Sequence, residues 1–215
     1  MVSDMGFEDS REFDEWAENY DEAVRSEHEF PFIGYRRVLD RVVELAGVSP
    51  PCRILDLGIG TGNLAERFLD NGCRVWGIDF SSRMLDIARV KVPTAQLAQA
   101  SILDPWPEHF RGRFDLLVSA YVFHHFVLPE KIEMLTRFAR EHCEIGGRIV
   151  LADLSFPTRD ALDQARVRWS KVWDEEHYWV AEEAIPACER AGLHVQYEQV
   201  VECAGVFVFE TSAMP

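Results

Sequence analysis

Residues Ile54 to Leu64 read ILDLGIGTGNL, and the run Arg74 to Phe80 that follows reads RVWGIDF, placing a carboxylate at Asp79. An apolar stretch running into Gly58, Gly60 and Gly62 predicts a buried strand and then a tight turn. Glycine tolerates positive φ and lets a ligand approach the backbone where a Cβ would intrude. Asp79 ends the next apolar run, roughly 20 residues after the first glycine, where a carboxylate can accept both hydroxyls of a ribose. The two segments together point to a ligand that carries a nucleoside.

Two details narrow the choice of ligand. Dinucleotide loops follow G-x-G-x-x-G, whereas Gly58-Ile59-Gly60-Thr61-Gly62 is G-x-G-x-G and Asn63 stands where the third glycine belongs. Asp56, two residues before the loop, would repel a pyrophosphate and suits a ligand with a cationic amino group. Asp56, Gly58, Gly60, Gly62 and Asp79 together resemble the opening motifs of the class I S-adenosylmethionine (SAM) methyltransferases. Three further segments are similar to the bacterial YrrT-type methyltransferases: Phe13-Asp14-Glu15-Trp16-Ala17-Glu18-Asn19-Tyr20-Asp21, Ser119-Ala120-Tyr121-Val122-Phe123-His124-His125, and Gly146-Gly147-Arg148-Ile149-Val150-Leu151-Ala152-Asp153. The resemblance spans most of the chain. It implies a Rossmann-like α/β fold with a seven-stranded, mostly parallel sheet in the order 3-2-1-4-5-7-6, strands numbered along the chain. It also implies SAM as cofactor, leaving as S-adenosylhomocysteine (SAH), and a small-molecule methyl acceptor.

The local pattern agrees with that fold class. Apolar residues at Phe13, Trp16, Ala17, Tyr20 and Val24, and again at Tyr35, Val38, Leu39, Val42 and Leu45, recur at helical spacing. After Pro50-Pro51, predicted strands over 53–57, 74–79, 95–99, 113–119 and 148–153 alternate with predicted helices over 62–70, 82–91 and 130–143, as in a parallel sheet covered on both faces. Ser81 or Ser82 caps the second of these helices, Pro129 suits the first turn of the third, and Gly146-Gly147 ends it. A helical stretch over about 158–174 and a helix over 181–191 lead to a hairpin of 193–200 and 205–210. A single domain is expected, with a helical cap over 1–48 and a substrate-side helical insertion over 158–191.

Composition excludes some functions. Twenty-two basic against 37 acidic residues give a net charge of −15, which repels nucleic-acid phosphates and anionic membranes. Neither partner is expected, and the chain is read as a monomer or homodimer acting on a small molecule. The five cysteines, at 52, 73, 143, 188 and 203, are odd in number and form no C-x-x-C pair, so reduced, buried thiols are expected. Met1 to Asp9 carries acids where a signal peptide needs bases. A cytoplasmic location is the expectation.

Methyl transfer from a sulfonium is an in-line displacement, so positioning and exclusion of water matter more than acid–base chemistry. The carboxyl ends of the strands bring Gly58, Asp79, Ser101 and Ser119 to one rim. The resemblance places Phe80 and Met84 against the adenine. Gln99-Ala100-Ser101-Ile102 falls where family members usually carry an acid facing the adenine amino group, so the Ser101 hydroxyl takes its place, with Ile102 beside it. Tyr20 is the candidate for the methionine end of the cofactor. His124 or His125 is the candidate general base. Neighbours in extended chain point opposite ways, so at most one should face the substrate, and the same geometry argues against a metal site. Asp153 orients a histidine, binds a cationic group or caps a helix. Trp16, Tyr121, Trp169, Trp173 and Tyr178 are candidates for an apolar substrate pocket; helical spacing makes some of them core. Two other functions stay open at this point: a non-catalytic SAM-binding sensor or scaffold, and a nicotinamide oxidoreductase, which the missing third glycine disfavours.

Overall fold

The parallel register of the first two strands organises the molecule. Arg53 to Leu57 lies beside Arg74 to Ile78, with every side chain from Ile54 to Leu57 buried, as expected of a strand covered on both faces. The structure, a computed structural model, describes residues 10–110 and 112–211, and for 10–15 the backbone alone. The acidic start Met1 to Asp9, and the side chains of Phe13, Asp14 and Glu15 in the first helical motif, lie outside the described residues.

In chain order the elements are α1 (Ser10–Arg25), α2 (Tyr35–Ala46), β1 (Arg53–Leu57), α3 (Asn63–Asp70), β2 (Arg74–Asp79), α4 (Ser82–Lys91), β3 (Gln96–Gln99), β4 (Phe114–Ala120), α5 (Leu128–His142), β5 (Cys143–Phe156), α6 (Arg159–Arg168), β6 (Trp179–Val180), α7 (Ala181–Arg190), β7 (His194–Val201) and β8 (Ala204–Glu210). The sheet runs β3-β2-β1-β4-β5-β8-β7. Only β8 is antiparallel, to β5 on one side and β7 on the other. This is the expected order, with one addition. The short β6 pairs in parallel with the end of β5, Trp179 beside Ser155, a two-residue pairing too brief for any periodicity to announce.

Alternate residues of each central strand feed two separate cores. Ile54, Leu116, Val118, Val150 and Val206 pack with α2, α3, α4 and α6, whereas Leu55, Leu57, Leu117, Ile149 and Phe207 pack with α5 and α7. Each such aliphatic side chain, fully buried, contributes about 1.5–3 kcal/mol of transfer free energy. Helix ends follow their caps. Ser81 Oγ accepts from Met84 N at the start of α4, Thr158 Oγ1 accepts from Ala161 N at the start of α6, and Pro129 occupies the first turn of α5.

Two sequence-based boundaries and the cysteine reading change. Gly146-Gly147 does not end α5; that helix stops at His142 and the two glycines lie inside β5, which extends from 143 to 156. The helix predicted to Asp174 ends at Arg168, with Trp169 at its cap. The cysteines are not all reduced: Cys52 and Cys73 are joined in a disulfide with Cα atoms 5.0 Å apart. They stand one residue before Arg53 and Arg74, which are partners in the parallel ladder. Sheet register thus makes neighbours of two residues 21 apart in sequence, a relation that cysteine spacing alone does not reveal. Cys143, Cys188 and Cys203 are free and buried. Such bridges persist in oxidising surroundings, so the cysteine count lends no support to a cytoplasmic location. Among the described residues no helix is long and apolar enough to cross a membrane.

The bridge makes a direct prediction. Denatured without reductant, the protein should titrate three thiols with a thiol reagent, and five after reduction. Reduction should lower the unfolding free energy by about 2–4 kcal/mol, measured in urea; five thiols before reduction would show that the bridge does not form.

Candidate functional site

The turn after β1 hangs from the end of β2. Gly58 N and Ile59 N both donate to Ile78 O, at 2.9 and 3.0 Å, and Gly60 N donates to Asp79 Oδ2 at 2.8 Å. Asp79 Oδ1 accepts from Ser81 N at 2.9 Å. The loop can take this course because Gly58 and Gly60 have φ of 73° and 54°. A Cβ on Gly58 would meet Val122 Cγ2 at 2.5 Å, whereas one on Gly60 would meet nothing within 4 Å. Gly60 faces open space.

That space is a cavity of about 420 Å³ walled by Gly58, Gly60, Asp79, Phe80, Met84, Ser101 and Ile102 on one side and by Tyr121, His124, His125 and Glu176 on the other. A contiguous cavity of about 540 Å³ shares Trp16, Tyr20, Tyr121, His124, His125, Glu175 and Glu176 with it and is walled further by Phe30, Phe32, Asp174 and Tyr178. Trp16 stacks on Phe32 with centroids 5.9 Å apart. Ser101 lines the cavity, and its Oγ accepts from Leu103 N at 3.1 Å.

Other sequence candidates lie outside these walls. Ser119 is buried and donates to Leu57 O at 2.6 Å, a strand-to-strand tie. Gly62 is the N-cap of α3. Trp169 and Trp173 line neither cavity and stack on Phe30, at 5.0 and 5.3 Å; of the aromatic stretch, Tyr178 reaches the second cavity. Asp56 is 1% exposed and lines neither cavity, and its Oδ2 has no hydrogen-bond partner. Burial, with the Asp79 charge adding to it, raises its pKa to about 8.

The histidines depart from the sequence expectation. Residues Phe123–His125 form a single 3-10 turn instead of extended chain, so the two rings lie on the same side with centroids 4.2 Å apart, and both line the cavity. His124 Nδ1 donates to Asp153 Oδ1 at 2.6 Å. Trp179 Nε1 and Leu154 N also donate to that carboxylate, at 2.9 Å each. Asp153 therefore orients a histidine and caps no helix. Burial disfavours a charged His124, but Asp153 outweighs it and, with Glu176, holds the pKa above the ordinary imidazole value. Burial and the neighbouring His124 push His125 down to about 3. Burial also brings Lys131 down to about 8; its ammonium bonds His177 O and lies 4.3 Å from the Trp179 ring.

Sequence reasoning missed Glu176 and a clamp on α1. Glu176 Oε2 lies 3.2 Å from His124 Nε2; the acidic run Asp174-Glu175-Glu176 among the aromatics was the available signal. In the clamp, Asp21 Oδ1 accepts from Thr61 Oγ1 at 2.7 Å and from Asn63 Nδ2 at 3.1 Å. Its Oδ2 accepts from Lys91 Nζ at 2.6 Å. Thr61 and Asn63 follow the glycines directly, so one carboxylate fastens α1 to the loop.

Comparison with known proteins matches residues 54–147 to a methyltransferase domain family. An uncharacterized methyltransferase of Oceanobacillus iheyensis is 31% identical over 207 residues, 91% of this chain and 94% of that relative. The uncharacterized methyltransferase YrrT of Halobacillus halophilus is 28% identical over the same span. Among solved structures, magnesium protoporphyrin IX methyltransferase from Synechocystis with bound SAH superposes with a TM-score of 0.71 at 14% identity, covering 95% of this chain and all of that one.

The buried Asp56 generates a prediction that needs no ligand. Its folded pKa lies above its unfolded value of 3.8, so below about pH 4 both states hold the proton and nothing is lost. As pH rises towards 8 the unfolded chain ionises first and folding loses stability. In Asp56→Asn that slope should vanish, so the variant should gain on the wild type by a few kcal/mol between pH 4 and 8. Urea midpoints at several pH values check it; parallel profiles would show Asp56 to be ionised in the fold.

Proposed function

Because the chain belongs to the YrrT-type class I methyltransferases, which depend on SAM, we propose that it transfers a methyl group from SAM to an O, N or S atom of a small molecule. The observation that carries this is the open face of Gly60 opposite the Asp79 carboxylate, on the wall of a cavity of about 420 Å³. The adenosyl ribose lies against Asp79, whose carboxylate is already held in place by Gly60 N and Ser81 N. The adenine packs between Phe80 and Met84, with its amino group towards Ser101. The methionine end points towards Tyr20, under α1. A ligand ammonium near the loop would also draw the buried Asp56 back towards its charged form.

The acceptor occupies the second cavity. Its aromatic walls favour an apolar body, and Tyr121 Oη, buried without a hydrogen-bond partner, waits for a polar atom on it. His124, fixed by Asp153, and His125 face the place where the sulfonium methyl and the acceptor atom meet. Once α1 and the segment 170–178 enclose both ligands, alignment and exclusion of water supply most of the rate.

Thermal-shift comparison of SAM, SAH and NAD tests the cofactor directly, since only a bound ligand stabilises; SAM and SAH should raise the midpoint and NAD should not. By calorimetry Gly60→Val should abolish SAM binding, because a side chain there enters the cavity and φ of 54° strains any L residue. Asp79→Ala should weaken binding by about 1–3 kcal/mol. Binding retained at the wild-type constant in both variants would overturn this placement. Incubation with labelled SAM and a metabolite extract should yield labelled product, whereas a sensor yields none.

A further inference from the structure

We propose that His124 Nε2, His125 Nδ1 and Glu176 Oε2 form a binding site for a divalent transition-metal ion of the zinc class, open towards the acceptor cavity. The proposal rests on the methyltransferase reading above and deepens it by naming how the acceptor is held. The three atoms lie within 4.8 Å of one another, with Glu176 Oε2 at 3.2 Å from His124 Nε2 and 3.7 Å from His125 Nδ1. Ligands about 2.0–2.2 Å from a tetrahedral ion stand roughly 3.3–3.5 Å apart, so small side-chain rotations complete the site.

The surroundings fit that use. His124 gives its Nδ1 proton to Asp153 at 2.6 Å, which fixes the tautomer and turns Nε2 outward, the carboxylate–histidine arrangement that orients metal-ligating imidazoles. Asp153 is itself held by Trp179 Nε1 and Leu154 N. His125 is brought to the same point by the 3-10 turn, and Glu176 by the segment that closes the cavity, pinned through His177 N to His124 O at 2.9 Å. Two imidazoles and one carboxylate are a catalytic ligand set that leaves positions for a substrate atom. All three residues line the cavity that also holds Gly60 and Asp79, so an open position faces the donor methyl.

The chemistry this supplies is activation of a protic acceptor. A thiol or hydroxyl bound to the ion loses its proton to solvent and stays as the metal-held anion. Its lone pair then takes the methyl carbon as that carbon's bond to the sulfonium breaks, leaving neutral SAH. The acceptor class is accordingly a small apolar molecule bearing a thiol or hydroxyl.

Co²⁺, a spectroscopic stand-in for Zn²⁺, tests the site without turnover. Wild-type protein stripped with chelator and titrated with Co²⁺ should develop visible d–d absorption that saturates at one equivalent and is displaced by Zn²⁺. Glu176→Gln and His125→Ala should abolish that signal, and Asp153→Asn should weaken binding about 10–100-fold, each variant being checked for native circular dichroism. An absent signal in the wild type, or one of equal strength in all variants as surface acids alone would give, overturns the proposal. SAH binding by calorimetry on the same wild-type sample separates the outcomes. SAH bound without Co²⁺ removes the metal alone, and SAH unbound removes the methyltransferase placement on which the proposal stands.

Discussion

The site depends on one small set of hydrogen bonds, those by which the loop after β1 is suspended from the last residues of β2. Ile78 O receives two consecutive loop N–H groups and Asp79 receives a third. These donors would otherwise be the orphaned amides of a strand-to-helix turn, and burying them unpaired would cost about 1–3 kcal/mol each. Only residues that accept positive φ can present them this way, which is why Gly58 and Gly60 are where they are. The same bonds point Asp79 at the cavity. Fold and cavity geometry are therefore one constraint, and the Cys52–Cys73 bridge at the opposite end of the same strand pair joins β1 and β2 in that register.

The histidine side of the cavity is built on a different economy, that of buried charge. Asp153, His124 and Lys131 sit together in a region where isolated charges are costly, with the partly buried Glu176 beside His124. Each has a partner: Asp153 takes His124, Trp179 and Leu154 N, while Lys131 finds His177 O and the Trp179 face. Three buried charged or chargeable groups held this way, Asp153, His124 and Lys131, make a firm wall with Glu176 at its edge. Rigidity is what an in-line displacement asks of its surroundings.

The glycine loop and Asp79 were legible in the sequence because each rests on local signals, a glycine spacing and a carboxylate at the end of an apolar run, whereas the sheet order followed from the family resemblance, since pairing order leaves no local signal. Element ends were read to within a few residues except where β5 outran its prediction through Gly146-Gly147 and where α6 stopped at Arg168, short of the predicted Asp174. What was not legible depends on register and on turns. The disulfide arises because parallel pairing sets Arg53 beside Arg74. The shared orientation of His124 and His125 arises because the chain after Tyr121 coils into a 3-10 turn where extended chain was expected. Glu176 and the Asp21 clamp join segments far apart in sequence, and no periodicity links them. Trp169 and Trp173 show the converse: an aromatic cluster is visible in sequence, but whether a ring faces a cavity or stacks on Phe30 is decided by packing.

Tyr121 connects these two ends. At the exit of β4 it adopts φ of 58°, one of two non-glycine residues among those described with positive φ, a conformation that costs of order 1–3 kcal/mol. The strain is offset locally, since Tyr121 N donates to Ala152 O at 2.9 Å and its ring packs on Tyr35 and Phe32 at 5.2 and 5.9 Å. An extended residue there would carry the chain onward past the sheet. The left-handed turn instead redirects it, setting Val122 against Gly58 and placing both histidines on the cavity that Gly60 also lines. A glycine would accept the angle more easily but would leave the cavity without that wall. The strained residue thus does what neither a strand nor a flexible turn would do: it brings the histidines after β4 and the glycine loop after β1 onto one cavity.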